Sequence, residues 1–124
     1  MKKMLVVEDD DASQQVLRRI FGKEFEIAFC VSAEEFYAKY SSLRCDIIIV
    51  DVSIRGDKHG LDLIKEIKLL PLHAQTPIIC LTAHAQQKTR MTAIEAGTDL
   101  FLAKPVSNQI LRDAVSFLIQ KHTI

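Results

Sequence analysis

An α/β fold on a five-stranded parallel sheet is what this sequence predicts, and three observations predict it. Short apolar runs alternate with helical patterns along the 124 residues, and strict β-α alternation gives a parallel sheet with helices on both faces, a three-layer sandwich. One run, Cys45-Asp46-Ile47-Ile48-Ile49-Val50-Asp51, is continuously apolar and β-branched, as in a strand buried on both faces at the middle of such a sheet. That run ends in a carboxylate, at the sheet edge where open α/β folds collect ligands and chemistry.

Bulk composition narrows the class. A chain of 124 residues at 48% hydrophobic forms one ordinary domain, residues 1–124, with a core that needs no staples. Lys+Arg and Asp+Glu are equal at 16 each, so no overall charge recruits nucleic acid or an anionic membrane. Cys30, Cys45 and Cys80 lie in or beside apolar runs without a CxxC or neighbouring His pattern; they read as buried thiols of a reducing compartment, not as a disulfide or metal framework. The apolar stretch Met4 to Val7 is too short for a signal peptide or a membrane span. A soluble cytoplasmic protein is expected.

The elements follow in order. Leu5-Val6-Val7 is a short strand, and Glu8-Asp9-Asp10-Asp11 follows at once. Ala12, Val16, Leu17, Ile20 and Phe21 have helical spacing, with Asp11 as N-cap, Gln14 at the capping-box position and Gly22 as the stop. Phe25 to Val31 is a second strand. Ser32-Ala33-Glu34-Glu35 is a capping box that starts a helix with Ala33, Phe36, Tyr37 and Tyr40 on its apolar face. After the third strand, Ser53 to Gly60 is polar and carries Gly56 and Gly60, which reads as a loop. Leu61, Ile64, Ile67 and Leu70 give an amphipathic helix stopped by Pro71. Ile78-Ile79-Cys80-Leu81-Thr82 is a fourth strand, Gln86 to Ala96 a helix with Gly97 as its stop, and Asp99-Leu100-Phe101-Leu102 a fifth strand running into Ala103-Lys104-Pro105. Ser107 caps a last helix with Ile110, Leu111, Ala114, Val115, Leu118 and Ile119 along it. His59, His73 and His122 read as solvated surface.

In a parallel sheet the ends of strands one, three, four and five share one edge. Glu8, Asp9, Asp51, Thr82 and Lys104 stand there. Taken singly, each has an ordinary explanation, such as a helix cap or a surface lysine. Together they form a chemical set. Three carboxylates repel one another and each tends to hold its proton, unless a cation joins them, and all-oxygen ligands with room for water suit Mg²⁺. Lys104 offsets negative charge and can hold a phosphoryl oxygen, and Thr82 supplies a hydroxyl. A carboxylate nucleophile, a divalent cation, a lysine and a hydroxyl are the parts of phosphoryl transfer to an aspartate.

Val6-Val7-Glu8-Asp9-Asp10, Ile49-Val50-Asp51, Pro77-Ile78-Ile79-Cys80-Leu81-Thr82-Ala83 and Ala103-Lys104-Pro105 resemble, in content and order, the motifs of the response-regulator receiver domains of two-component signalling, a group that includes the chemotaxis regulators. The resemblance covers the whole chain. It implies a flavodoxin-like (βα)5 fold with strand order 2-1-3-4-5. It also implies Asp51 as phosphoacceptor, Asp9 as a direct Mg²⁺ ligand, Glu8 acting largely through water, and the backbone carbonyl of Ser53 completing the protein's share of the metal shell with Asp51. Lys104 pairs with Asp51 and then with the phosphoryl group, Thr82 bonds a phosphoryl oxygen, and Phe101 holds the aromatic switch position. Ser53 and His84 flank the acyl phosphate and tune its hydrolysis. The loop after Asp51 departs from the family pattern: Arg55 stands where a Pro is usual, and the segment is one residue longer than the common form.

The function implied is a phosphorylation switch. A sensor histidine kinase or a histidine phosphotransfer protein donates to Asp51, and the surface of the fourth helix, fifth strand and fifth helix changes to control a downstream protein or an output domain absent from the chain. It is not a dedicated enzyme. No direct contact with nucleic acid or membrane is expected. A phosphorylation-independent receiver used as a binding module is the alternative. A Mg²⁺-dependent phosphohydrolase lacks the Asp-x-Asp pair, since Val52-Ser53 follows Asp51. A nucleotide or flavin module lacks a Gly-rich loop after strand one.

Overall fold

The computed structural model describes residues 1–52, 59–83 and 86–122. Five strands, β1 (Lys2–Val7), β2 (Phe25–Cys30), β3 (Ile47–Val50), β4 (Ile78–Thr82) and β5 (Leu100–Ala103), form one sheet in the order β2-β1-β3-β4-β5. Every pairing is parallel. Both the sheet class and the order 2-1-3-4-5 are as expected. β3 is central and fully buried along its length, the condition its continuous apolar run requires. Its alternating side chains serve two cores. Ile48 and Val50 join Ile64, Ile67 and Phe36 on one face, while Ile47 and Ile49 join Leu17, Ile20 and Leu118 on the other.

The helices are α1 (Asp11–Phe21), α2 (Ala33–Glu35, continuing as a π-helical turn Phe36–Tyr40), α3 (Gly60–Leu69), α4 (Gln87–Ala96) and α5 (Asn108–His122). Their ends correct several expectations. The N-cap of α1 is Asp10, not Asp11: its side chain accepts from the Ser13 N–H at 2.8 Å. Gln14 therefore lies outside a capping box. Gly22 ends α1 in a right-handed conformation, whereas Gly97 ends α4 at φ +112°, the left-handed stop that glycine favours. Ser32 caps α2 by accepting from Glu35 N–H at 3.1 Å, and the Glu35 carboxylate accepts from Val31 N–H at 3.0 Å. Only Ala33 and Phe36 of the expected apolar face are buried; Tyr37 is exposed and its hydroxyl donates to Glu66.

Two positions after β3 differ from the sequence reading. Gly60 begins α3 instead of closing a loop, and the exposed His59 caps it, accepting from Leu61 N–H at 3.2 Å. Gly60 N–H also donates to Val52 O at 3.0 Å. A Cβ on Gly60 would come within 2.3 Å of Asp51 O and 2.8 Å of Val52 Cα, so only glycine fits this approach. The second difference is His73. It lies in a short 3₁₀ turn, Pro71–His73, after α3 and has no exposed surface. The turn tucks its ring 6.2 Å from Phe36, which removes it from the solvated surface expected.

Candidate functional site

Parallel pairing fixes the relative height of the strand ends. Asp51 N–H donates to Val7 O at 2.9 Å, Glu8 N–H to Cys30 O at 2.8 Å and Lys104 N–H to Thr82 O at 2.9 Å. These bonds extend the ladders one residue past each strand. They bring the residues after β1, β3 and β5 to one edge. Glu8 and Asp51 are buried, Asp9 is half-buried, and Thr82 has no exposed surface at the end of β4.

Lys104 is the centre of the cluster. Its Nζ donates to Glu8 Oε1 at 2.7 Å and to Asp51 Oδ2 at 3.0 Å. Burial pulls the ammonium's pKa down. Hydrogen bonds and charges of Glu8 and Asp51 outweigh that effect, so the net shift is upward and the group stays charged. Glu8 shifts upward as well. Burial is the largest cause, the hydrogen bond from Lys104 opposes it, and the neighbouring Asp51 adds to the rise. Its second oxygen, Oε2, is buried with no hydrogen-bond partner among the described residues.

An orphaned, buried carboxylate oxygen beside a second carboxylate is a donor set for a hard cation. The residues present fit Mg²⁺ in chemistry. Among the described residues, however, no trio of His, Cys, Asp and Glu is gathered as a ready-made cage, and the Lys104 ammonium bridges two of the acids. Ser53, whose carbonyl was expected to complete the shell, lies outside the described residues, as do His84, Arg55 and most of the atypical loop. Phe101 is half-buried on β5 beside Cys80, packed against the core that holds Phe36 and Ile64.

Sequence reasoning missed two features around the site. Gln14 reaches back from α1 and donates through Nε2 to the backbone carbonyl of Glu8 at 2.6 Å. A glutamine in the first turn after an acidic strand end was a signal for it, but the misplaced cap hid it. A groove of about 410 Å³ also runs from Glu8 and Lys104 between α1 and α5, lined by Val16, Leu17, Ile20, Leu81, Val106 and Leu111 among others. The half-exposed Val16 and the helical period of α1 contained part of that surface.

A family model for the response regulator receiver domain matches residues 4–116. The sensory/regulatory protein RpfC of Xanthomonas campestris pv. campestris is 31% identical over 119 residues, which span 94% of this chain but only 16% of that protein. The chemotaxis protein CheY of Halobacterium salinarum is 31% identical over 119 residues, spanning 93% of this chain and 94% of that protein. Among solved structures, the receiver domain of sensor histidine kinase PA1611 from Pseudomonas aeruginosa superposes with a TM-score of 0.86 at 25% identity, covering 96% of this chain and 98% of that one. That structure has a magnesium ion coordinated in its active-site cleft. Strand order, strand-end acids and a match over nearly the whole chain lead to one conclusion: the chain belongs to the response regulator receiver domain family.

Proposed function

We propose that this receiver is a phosphorylation switch with Asp51 as its acceptor. The observation that carries the reading is the Lys104 ammonium held 3.0 Å from Asp51 and 2.7 Å from Glu8. In the proposed step an Asp51 carboxylate oxygen attacks the phosphorus of a partner's phosphohistidine. The O–P bond forms as the P–N bond breaks, and the imidazole leaves with the electron pair. Glu8, Asp9, Asp51 and the Ser53 carbonyl would hold Mg²⁺, which supplies neutralisation of phosphoryl charge when bound. Lys104 moves its donors from Asp51 to the new phosphoryl oxygens, and Thr82 donates its hydroxyl to another. Phe101 then turns inward, reshaping the α4, β5 and α5 surface. Ser53 and His84 tune hydrolysis of the acyl phosphate.

Receiver domains are signalling switches that work with sensor histidine kinases and output domains. For this chain the donor is a sensor histidine kinase or a histidine phosphotransfer protein. The output is a downstream protein or a further domain. Three free, buried cysteines support a reducing cytoplasmic setting. Among the described residues no helix is long and apolar enough to cross a membrane.

The test is incubation with Mg²⁺ and a small phosphodonor, followed by intact mass. Wild type gains one phosphoryl group, and Asp51→Asn gains none. An unmodified wild type, with a partner still bound, would instead favour a binding module that works without phosphorylation.

A further inference from the structure

Glu8 lies one residue past the end of β1, and its peptide is held in an unusual way. Its N–H still follows the ladder to Cys30 O at 2.8 Å. Its carbonyl lies past the last paired residue of β2, which stops at Cys30. It accepts from the Gln14 side chain, whose Nε2 donates at 2.6 Å. The same helix turn is fastened from below: Asp10 accepts from Ser13 N–H at 2.8 Å through its side chain and from Gln14 N–H at 3.0 Å through its carbonyl. The turn that carries Glu8 and Asp9 is thus tied to β2 at its start, to α1 at its end, and across its middle by one glutamine.

We propose that Gln14 is the positioning residue of the acid pair. Its bond fixes the direction in which Glu8 and Asp9 leave β1, and so sets how strongly the edge binds a divalent cation, while leaving the acceptor chemistry of Asp51 alone. The inference rests on the reading of Glu8, Asp9 and Asp51 as cation ligands. Gln14 touches neither cation nor phosphoryl group. It acts as partners that orient metal ligands do elsewhere, where their loss weakens binding by about 10- to 100-fold.

The test titrates Mg²⁺ into ¹⁵N-labelled wild type, Gln14→Met and Gln15→Met, following the amide signals of Asp9 and Asp51. The rate of phosphorylation from a small phosphodonor is measured across the same Mg²⁺ range, together with the urea midpoint. Gln14→Met keeps length and helix propensity but loses the donor. Its Mg²⁺ constant weakens about 10-fold, and its rate at saturating Mg²⁺ stays within about two-fold of wild type, the pattern of lost binding without lost chemistry. Gln14→Asn, one methylene short, shows the same weakening. Gln15→Met, an exposed neighbour, behaves as wild type. A Gln14→Met protein with the wild-type Mg²⁺ constant, whether or not its urea midpoint falls, overturns the inference. Wild-type amide signals that ignore Mg²⁺ overturn the cation reading itself and this inference with it, and the two failures are told apart by the protein in which they appear.

Discussion

His73 sits under the end of α3 with no exposed surface, its Nδ1 3.4 Å from Thr76 Oγ1. Burial lowers its pKa below the ordinary 6.5; Lys68 and Arg44 push the same way, against the Ser41 backbone. The unfolded chain therefore takes a proton at a pH where the folded ring does not. Stability is full above about pH 6.5 and falls as pH drops below it, by at most about 1.4 kcal/mol per pH unit, until the folded ring also protonates. In His73→Leu this slope between pH 7 and 5 disappears, as urea denaturation at a series of pH values will record. The residue was illegible in sequence because it stands in the short segment after Pro71, outside any apolar period, and its burial is a product of tertiary packing against Phe36. Glu8, Asp51 and Lys104 were legible for the opposite reason. Strand ends in a parallel sheet share an edge whatever the helices do.

α4 buries little for a ten-residue helix. Ala93 is its one buried residue, and its C-terminus depends on Gly97, whose φ of +112° and 2.9 Å approach of a built Cβ to Lys68 Cγ leave no room for a side chain. Lys68 is itself fixed, donating to Thr76 O at 2.5 Å and lying 3.6 Å from Asp99 Oδ2. Gly97→Ala is expected to destabilise the fold by about 1–2 kcal/mol, measurable by thermal or urea unfolding. The glycine stop of α4 and the serine cap of α2 were both readable, because each is a local rule with one residue type to satisfy it. The cap of α1 was not. Asp9, Asp10 and Asp11 are chemically equivalent candidates, and only the point where β1 leaves its ladder selects Asp10. The widening of α2 into a π-helical turn at Phe36–Tyr40 also escaped the apolar period, which set Tyr37 on the buried face. In the fold Tyr37 faces Glu66, and the hydroxyl of Tyr40 donates to Phe29 O at 3.2 Å.

At the scale of the molecule, the sheet separates two cores with different helices. Ile64 is buried on the face with α3, and Ile20 on the face with α1. Trimming each to Val removes one methylene and is expected to lower stability by about 0.5–1.5 kcal/mol. With β3 between them, the double variant should equal the sum within about 0.5 kcal/mol; urea curves of the two single variants and the double give the comparison. A larger deviation means that strain crosses the sheet. Alternation of strands and helices was enough to reach the layered class. It could not order the strands, since any arrangement with right-handed crossovers satisfies it. The resemblance in the strand-end motifs supplied the order 2-1-3-4-5.

The bond from Gly60 N–H to Val52 O gives the atypical segment between them a defined frame. Chain entropy makes added length cheap once both ends are tied, since even doubling a closed loop costs only about 0.6 kcal/mol. One extra residue between those tied ends therefore costs little chain entropy. Asp51, held to Val7 at 2.9 Å on the inner side of that frame, keeps its place. Gly60 is therefore the residue at which a change would reach the acceptor's own backbone: any Cβ there would meet the Asp51 carbonyl at 2.3 Å.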